Sequence, residues 1–371
     1  MKKYISLLII AALSVSGSAV FTSCGKDDEF ADIEYVAEYS KDLEGTTIDV
    51  FNWGEYISDG SEDSLDVNRA FEELTGIKVN YTTFESNEDM YVKLKSGSVS
   101  YDIIIPSDYM IDRLISENMV QEIDLSKIDN YKYITDEYKG LAYDPDDKYS
   151  VAYTGGMVGL IYNTKMVSEA PTSWNVMWDE QYKDNILMFN NSRDAFAIAQ
   201  FILGQDINTT NTADWDAAAA LLKEQKPLIQ KYVMDEVFNK MEGSNAAIAP
   251  YYAGDFLTMQ ENNPDLAFVY PQEGTNLFVD AMCIPSSAQN YEAALMYINF
   301  MLEPEIALAN AEYICYSSPH SAVLENEEYS LKDNEYLYPS DEVKANTQVF
   351  TDIDTETRSY YEALWESLKL S

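Results

Sequence analysis

Short apolar runs alternate with helical periodicity through the first part of the chain. The apolar runs predict strands at Ile48–Phe51, Ile77–Phe84 and Tyr101–Ile105. The segments between and after them predict helices at Glu62–Leu74, Asn87–Lys95 and Met110–Asn118. Two of these helices should end at Gly76 and Gly97, because glycine accepts the left-handed backbone of a helix C-terminus. This alternation predicts parallel sheets with crossover helices.

The same alternation continues in the second part of the chain. Its predicted strands are Ser150–Tyr153, Val158–Tyr162, Ile186–Phe189, Ala246–Tyr251, Ala267–Tyr270 and Phe278–Ile284. Its predicted helices are Asp194–Leu203, Trp215–Lys223, Tyr291–Met301 and Tyr360–Leu368. A loop rich in Asp and Pro, Asp144–Asp147, precedes the first of these strands and is a candidate crossover between lobes. The loop lacks the Gly and distal Glu of a calcium loop, so no metal is expected there.

Length and composition bound the architecture and the ligand. A chain of 371 residues predicts two α/β lobes of roughly 150 residues each. Apolar residues make up 46% of the chain, which excludes a disordered protein of low hydrophobicity. The formal net charge of −40 argues against nucleic acid as a partner, because Lys and Arg drive that binding. A cationic ligand would suit this charge, although a solvated acidic surface explains most of it.

The amino terminus predicts export. Residues 1–23 have the form of a signal peptide, with Lys2 and Lys3 as the basic start and Ile5–Val20 as the apolar stretch. No later segment supplies the roughly 20 consecutive apolar residues that a membrane-spanning helix needs. The protein is therefore expected in the periplasm or cell envelope.

Cys24 is the candidate site of lipidation. It follows small residues in Phe21-Thr22-Ser23-Cys24, which resembles a bacterial lipoprotein processing site, although Phe21 stands where Leu is usual. Cleavage before Cys24 would leave an acylated amino terminus that anchors the protein to a membrane. The alternative is an ordinary secretory cleavage with an incidental Cys. Residues 24–45 are acidic without a sustained period and predict a tether, so the folded body should start near Thr46.

The other Cys residues and the single His limit the possible chemistry. Cys283 and Cys315 define no metal motif, and two buried free thiols fit them better than a disulfide. His320 is the only His in the chain, so a zinc site with two His ligands is excluded. It follows Pro319 in a polar turn and is expected at the surface. We expect neither a cofactor nor a metal ion.

Aromatic and acidic residues recur together at strand ends, where the ligands of open parallel sheets bind. The four segments are Asn52-Trp53-Gly54-Glu55-Tyr56, Pro106-Ser107-Asp108-Tyr109, Tyr251-Tyr252-Ala253-Gly254-Asp255 and Phe278-Val279-Asp280. An alkylammonium chain needs carboxylates for its charged ends and flat rings for its methylenes. A sugar would also use the rings, but it would need Arg, Asn or Gln to balance so many acids. The pattern therefore predicts a binding protein for a small organic cation and not an enzyme.

Several segments resemble those of the spermidine/putrescine-binding proteins of bacterial ABC transporters, and the resemblance runs from about Thr46 to the carboxyl terminus. The segments are Phe51-Asn52-Trp53-Gly54-Glu55-Tyr56-Ile57, Thr75-Gly76-Ile77-Lys78-Val79, Phe84-Glu85-Ser86-Asn87-Glu88-Asp89-Met90-Tyr91 and Tyr101-Asp102 through Tyr109. The resemblance implies a two-lobed periplasmic-binding-protein fold with two crossovers, which closes on its ligand like a hinge. Lobe 1 would comprise residues 46–153 and about 279–320, and lobe 2 about 154–278 and about 321–371.

The resemblance also implies which residues hold the ligand. Asp280 would be the ammonium-binding carboxylate of the family. Carried over by position, the remaining wall and end residues are Trp53, Glu55, Tyr56, Ser107, Tyr109, Tyr252, Phe278 and Tyr316. The implied partners are a polyamine and the permease and ATPase subunits of a transporter.

Three positions put the length of the preferred amine in doubt. Spermidine-type relatives carry Asp where Asn191 stands and Glu where Asp194 stands, so the site has lost a charge there. Asp255 matches the putrescine-type relatives instead. Selectivity is therefore expected to be relaxed toward putrescine, with both amines bound.

Two other functions remain open at this point. An extracytoplasmic glycoside hydrolase would also use aromatic rings and a pair of carboxylates about 5 to 9.5 Å apart. A polyamine-sensing lipoprotein would bind the same amine without transporting it.

Overall fold

The computed structural model describes residue 30 and residues 33–370, and ten strands within that part of the chain form one mixed sheet. The strands are β1 Thr47–Trp53, β2 Lys78–Phe84, β3 Ile103–Ile104, β4 Ser150–Asn163, β5 Ile186–Phe189, β6 Ile229–Val233, β7 Ile248–Tyr252, β8 Leu266–Val269, β9 Thr275–Cys283 and β10 Thr347–Val349. Their order is β2-β1-β3-β9-β4-β7-β5-β6, with β10 beside β9 and β8 beside β4.

Helices flank this sheet. They are α1 Val67–Thr75, α2 Asn87–Ser96, α3 Asp108–Ser116, α4 Ser192–Leu203, α5 Thr212–Gln225, α6 Glu236–Glu242, α7 Ala253–Asn262, α8 Tyr291–Met301, α9 Pro304–Ile314, α10 Ser321–Glu325, α11 Asp341–Lys344 and α12 Thr355–Leu370. The predicted α/β class is confirmed.

Parallel pairing at both ends of the sheet gives the fold its two lobes. At one end β1 pairs in parallel with β2 and β3, and at the other β5 pairs in parallel with β6 and β7. Gly76 and Gly97 end α1 and α2 with φ angles of 76° and 62°, as predicted. One buried core surrounds Phe51 and Ile104, and a second surrounds Phe196 and Trp215. Each lobe therefore has its own hydrophobic core.

The antiparallel strands β4 and β9 connect the two lobes. Two separate strands were predicted within β4, but the structure has one strand that pairs with β9 from Ser150 to Met157. Glycine allows this close pairing, because a Cβ atom on Gly156 would lie 2.5 Å from the ring of Phe278. The second half of β4 pairs with β7 and β8. The long strand itself thus carries the chain from one lobe to the other.

The predicted crossover at Asp144–Asp147 is therefore wrong. The Asp144 carboxylate accepts hydrogen bonds from the backbone N–H groups of Lys148, Tyr149 and Ser150 at 2.8 to 3.0 Å. These bonds close a local turn just before β4 begins, so the loop stays within one lobe.

The folded body begins earlier than the expected Thr46. The buried carboxylate of Glu303 accepts hydrogen bonds from the backbone N–H groups of Val36 and Ala37, at 2.7 and 3.0 Å, and from the Tyr39 hydroxyl at 2.7 Å. The segment from residue 36 onward is thus part of the folded body. The predicted signal peptide, Cys24 and the start of the acidic segment lie outside the described residues.

His320 is buried, so its predicted surface position is wrong. The side chain is 2% exposed, packs 4.9 Å from the Tyr133 ring, and has Nε2 3.0 Å from the carbonyl oxygen of Leu302. Burial lowers the pKa of His320 to about 4. The turn is covered by a distant segment of the chain: Ile134 forms a β-bridge with His320, and the backbone N–H of Thr135 donates to the carbonyl of Pro319.

The two cysteines are free thiols, as predicted, but only Cys283 is fully buried and Cys315 is partly exposed. The described residues contain no cluster of three or more His, Cys, Asp or Glu arranged to hold a metal ion. Within the same ranges, every helix is too short or too polar to cross a membrane.

Candidate functional site

A cavity of about 900 Å³ opens where strand ends from the two lobes meet. Open α/β sheets bind their ligands at such carboxyl ends. All the residues predicted from the sequence to bind ligand line this one cavity: Trp53, Glu55, Tyr56, Ser107, Tyr109, Asn191, Asp194, Tyr252, Asp255, Phe278, Asp280 and Tyr316. The structure thus brings them together, and their role in binding stays a prediction.

Asp280 on β9 has one carboxylate oxygen hydrogen-bonded to Tyr56 and a second oxygen that faces no well-aligned donor among the described residues. The Tyr56 hydroxyl donates to Oδ2 at 2.6 Å, and Thr154 Oγ1 lies 2.6 Å from the same hydroxyl. Oδ1 has no well-aligned hydrogen-bond partner in the part of the chain that the structure describes, and the residue is 3% exposed. A buried carboxylate oxygen without a partner is costly, so this atom is the clearest position for a ligand N–H group.

Trp53 forms an aromatic wall at the end of β1. Its ring packs against Phe84 with the ring centroids 4.5 Å apart. The adjacent Glu55 is exposed and has a positive φ of 53°, in the tight turn that follows the strand. The turn lets Trp53, Glu55 and Tyr56 all reach the cavity although they are close in sequence.

Ser107 and Tyr109 are held in place by the start of α2. The amide of Asn87 donates to Ser107 Oγ and to the Tyr109 hydroxyl, both at 3.1 Å. The Tyr109 hydroxyl donates in turn to Glu88 at 3.0 Å. This network orients the Tyr109 ring, which meets Phe350 edge to face at 5.9 Å.

Asp194 lies in the first turn of α4, where the helix N-terminus favours negative charge. Its Oδ2 accepts hydrogen bonds from the Tyr252 hydroxyl at 2.9 Å and from the Asn191 amide at 2.8 Å. The Asn191 carbonyl caps the helix by accepting from the backbone N–H of Arg193 at 2.9 Å. Asn191 therefore lines the cavity with much of its hydrogen-bonding capacity already used.

Asp255 lies in the first turn of α7 and is a second carboxylate on the same lobe, partly exposed to solvent. The Tyr316 hydroxyl donates to its Oδ2 at 3.0 Å. The Tyr316 ring meets Tyr56 and Phe278 at 5.3 and 6.0 Å. Phe278 in turn meets Tyr252 edge to face at 5.4 Å. These rings line the space between the carboxylates.

Burial raises the pKa of all three central carboxyl groups. The pKa is about 7 for Asp194 and Asp255 and about 6 for Asp280, because removal from water disfavours the charged form. The nearby hydroxyl groups lower these pKa values, Tyr252 at Asp194, Tyr316 at Asp255, and Ser107 and Tyr56 at Asp280, but they do not offset the burial.

Positive charge in the cavity wall is scarce. Among the described residues that line it, ten are Asp or Glu and one, Arg193, is cationic. The Arg193 guanidinium makes its hydrogen bonds outside this group of carboxylates, with Nη2 donating to Asn208 at 2.7 Å and to the carbonyl of Thr351 at 3.1 Å. Its charge lowers the pKa of Asp194 but does not offset the effect of burial. The acidic residues of the described cavity wall therefore far outnumber its single protein cation.

Sequence reasoning missed several residues that also line the cavity. They are three acidic residues, a buried amide and a ring just beyond the last strand: Asp235, Glu261, Glu312, Asn276 and Phe350. Asn276 alternates with Phe278 and Asp280 along β9, but the predicted strand Phe278–Ile284 began two residues too late to include it. The others come from helices and loops whose position depends on the tertiary fold.

Comparison with known proteins extends these observations. Residues 99–339 match the model of a family described as bacterial extracellular solute-binding protein. The spermidine/putrescine-binding periplasmic protein of Escherichia coli is 31% identical over 328 residues, which cover 88% of this chain and 92% of that protein.

Two solved structures share the fold. One is the spermidine/putrescine ABC transporter substrate-binding protein PotD of Streptococcus pneumoniae, at 35% identity and a TM-score of 0.74, covering 88% of this chain and 99% of that one. The other is the TpPotD lipoprotein of Treponema pallidum, at 26% identity and a TM-score of 0.77, covering 88% and 100%. The chain therefore belongs to the bacterial extracellular solute-binding protein family, whose members bind solutes and are not enzymes.

Proposed function

We propose that the protein captures putrescine and spermidine in the cavity and delivers them to the permease of an ABC transporter. The single observation that supports this most strongly is the set of three carboxylates, Asp194, Asp255 and Asp280, in a wall that holds ten acidic residues and one cationic residue among those that the structure describes. A linear polyamine carries ammonium groups along an apolar chain, so it can neutralise these carboxylates while its methylenes pack on the rings.

Each part of the ligand has a matching surface. Asp280 Oδ1 would accept from one ammonium group, and Asp194 and Asp255 would neutralise charge elsewhere along the chain. Trp53, Tyr56 and Phe278 would contact the methylenes, and each ammonium over a ring gains about 0.5 to 2 kcal/mol. The names of the related proteins point to the same two amines.

Isothermal titration calorimetry of the purified protein at pH 8 tests this proposal. We expect saturable binding of putrescine and spermidine and no binding of 1,4-butanediol, which has the length of putrescine but no charge. Equal binding of the diol, or no binding of either amine, would contradict the proposal.

Capture and delivery would involve closure of the two lobes around the ligand. We assign residues 46–153 and about 279–320 to one lobe, and about 154–278 and about 321–371 to the other, with β4 and β9 as the hinge. Uptake of labelled putrescine by cells with and without the protein tests delivery. Unchanged uptake at low amine concentration would argue for a sensor instead.

We also propose that Cys24 carries a lipid that holds the protein at a membrane of the cell envelope. The sequence before Cys24 supports this, and the related Treponema protein is called a lipoprotein. We expect Cys24→Ala to release the protein from the membrane fraction and to abolish labelling by radioactive palmitate. Retention of both would contradict the assignment.

A further inference from the structure

We propose that Asn276 is a further ligand-binding residue, whose side-chain oxygen accepts a hydrogen bond from the ligand nitrogen that lies near Asp194. This proposal rests on the proposed function and deepens it, because it adds a neutral acceptor to a site otherwise defined by carboxylates. Its starting point is a buried polar atom that the fold leaves without a partner.

Asn276 lies on the face of β9 that forms the cavity wall. Residues on a strand alternate between its two faces, so Asn276, Phe278 and Asp280 point to the same side. All three line the cavity. Asn276 is 4% exposed, and its Oδ1 has no hydrogen-bond partner in the part of the chain that the structure describes.

The backbone around Asn276 is fixed by its neighbours. Asn276 pairs with Gln348 on β10, and the adjacent Thr275 donates its hydroxyl to the carbonyl of Val158 on β4. The strand therefore has little freedom to turn the side chain away from the cavity. An asparagine amide held there needs partners, because burial removes it from water.

The surrounding elements place Asn276 near Asp194. The helix that carries Asp194, α4, packs directly against β9. Just beyond β10, Phe350 lines the cavity and packs under the Arg193 guanidinium, 4.6 Å from its central carbon. Phe278, which shares the cavity face of β9 with Asn276, touches Tyr252, and the Tyr252 hydroxyl donates to Asp194. The contacts of Phe278 and Phe350 thus connect the strand of Asn276 with the residues around Asp194.

The chemistry of an ammonium group explains the need for a second acceptor. A primary ammonium has three N–H donors, and a single carboxylate satisfies them only in part. Asn191 is poorly placed to help, because its amide is already bonded to Asp194 and to the backbone of Arg193. Asn276 supplies an acceptor without adding another negative charge beside Asp194, whose pKa is already raised by burial and by the nearby Glu88 carboxylate.

The test compares Asn276→Leu, which keeps the size but removes the acceptor, with Gln200→Leu as a matched control. Gln200, on α4, is likewise buried and does not line the cavity, and neither polar atom of its amide has a hydrogen-bond partner among the described residues. We expect Asn276→Leu to weaken putrescine and spermidine binding about tenfold or more in calorimetry, with an unchanged or higher melting temperature of the unliganded protein. Gln200→Leu should leave both affinities unchanged.

Asn276→Asp gives a second and independent readout. The added charge should strengthen amine binding at pH 8, where the carboxyl is ionised, more than at pH 6. Wild-type affinity in Asn276→Leu, or weaker binding in Asn276→Asp at pH 8, would overturn this inference while amine binding by the wild type stands. A wild type that binds neither amine would instead contradict the proposed function, and this inference with it.

Discussion

Asp280→Asn should weaken ligand binding and stabilise the unliganded protein at the same time. The carboxylate is buried and its Oδ1 has no partner of good geometry among the described residues, so an ammonium ligand would form a charge-assisted bond there. The amide keeps the size of the side chain but loses the charge. We expect affinity for putrescine and spermidine to fall by about 2 kcal/mol or more, which is roughly thirtyfold.

The raised pKa gives the size of the effect on stability. The pKa of Asp280 is raised from 3.8 to about 6, so at pH 8 the buried charge costs about 3 kcal/mol relative to the unfolded chain. Between the two pKa values, at a pH from about 4 to about 6, the native state binds a proton that the unfolded state does not. Stability of the unliganded protein therefore falls as pH rises from about 4 through 6, and Asn at this position removes that loss.

Calorimetry at pH 8 and thermal unfolding of the unliganded protein at pH 5 and pH 8 test both effects. The variant should melt higher than wild type at pH 8, by an amount that corresponds to about 1 to 3 kcal/mol, and should gain about half as much at pH 5. Asp333→Asn, at an exposed position, is the control for a change in net charge and should alter neither property. Unchanged affinity, or a loss of affinity together with a loss of stability at pH 8, would refute this reasoning.

Three further predictions concern pH, the aromatic wall and selectivity. Affinity for putrescine should be full above pH 7 and should fall as the pH drops from 7 to 6. A bound ammonium requires the ionised forms of Asp194 and Asp255, whose pKa values are about 7. Constant affinity in calorimetry across this pH range would contradict the prediction. Trp53→Ala should cost about 1 to 3 kcal/mol of binding free energy, and a lower melting temperature with intact affinity would show that Trp53 is a core residue instead. Asn191→Asp should raise spermidine affinity more than putrescine affinity. If the wild type prefers spermidine a hundredfold over putrescine in competition calorimetry, the selectivity argument is wrong.

The cavity could be foreseen from the sequence because it is built mainly from strand ends. A strand such as β1 is visible from its apolar run, and the residues that follow it must lie at the sheet edge where the ligands of such folds bind. The same logic places Ser107 and Tyr252, whereas Asp280 lies inside β9 and reaches the cavity from the face of that strand. Their convergence on a single cavity, by contrast, depends on how the lobes are connected, which local patterns do not show.

The remaining features depend on contacts between distant parts of the chain. From the sequence alone, the glycines of β4 indicate the end of a strand. In the structure the strand continues through them, because the rings of Phe278 and Tyr316 leave no room for a larger side chain at Gly156. His320 follows a proline in a polar segment, and its burial comes from packing against Tyr133, far away in sequence. Phe350 reaches the cavity only because β10 pairs with β9 near the end of the chain.

A crystal structure of the protein with spermidine tests the central claim most directly. The account predicts a linear amine in the cavity, with one nitrogen about 2.7 to 2.9 Å from Asp280 Oδ1 and the methylenes against Trp53 and Tyr56. Spermidine bound elsewhere, or bound in the cavity with no nitrogen within hydrogen-bonding distance of Asp280, would contradict it.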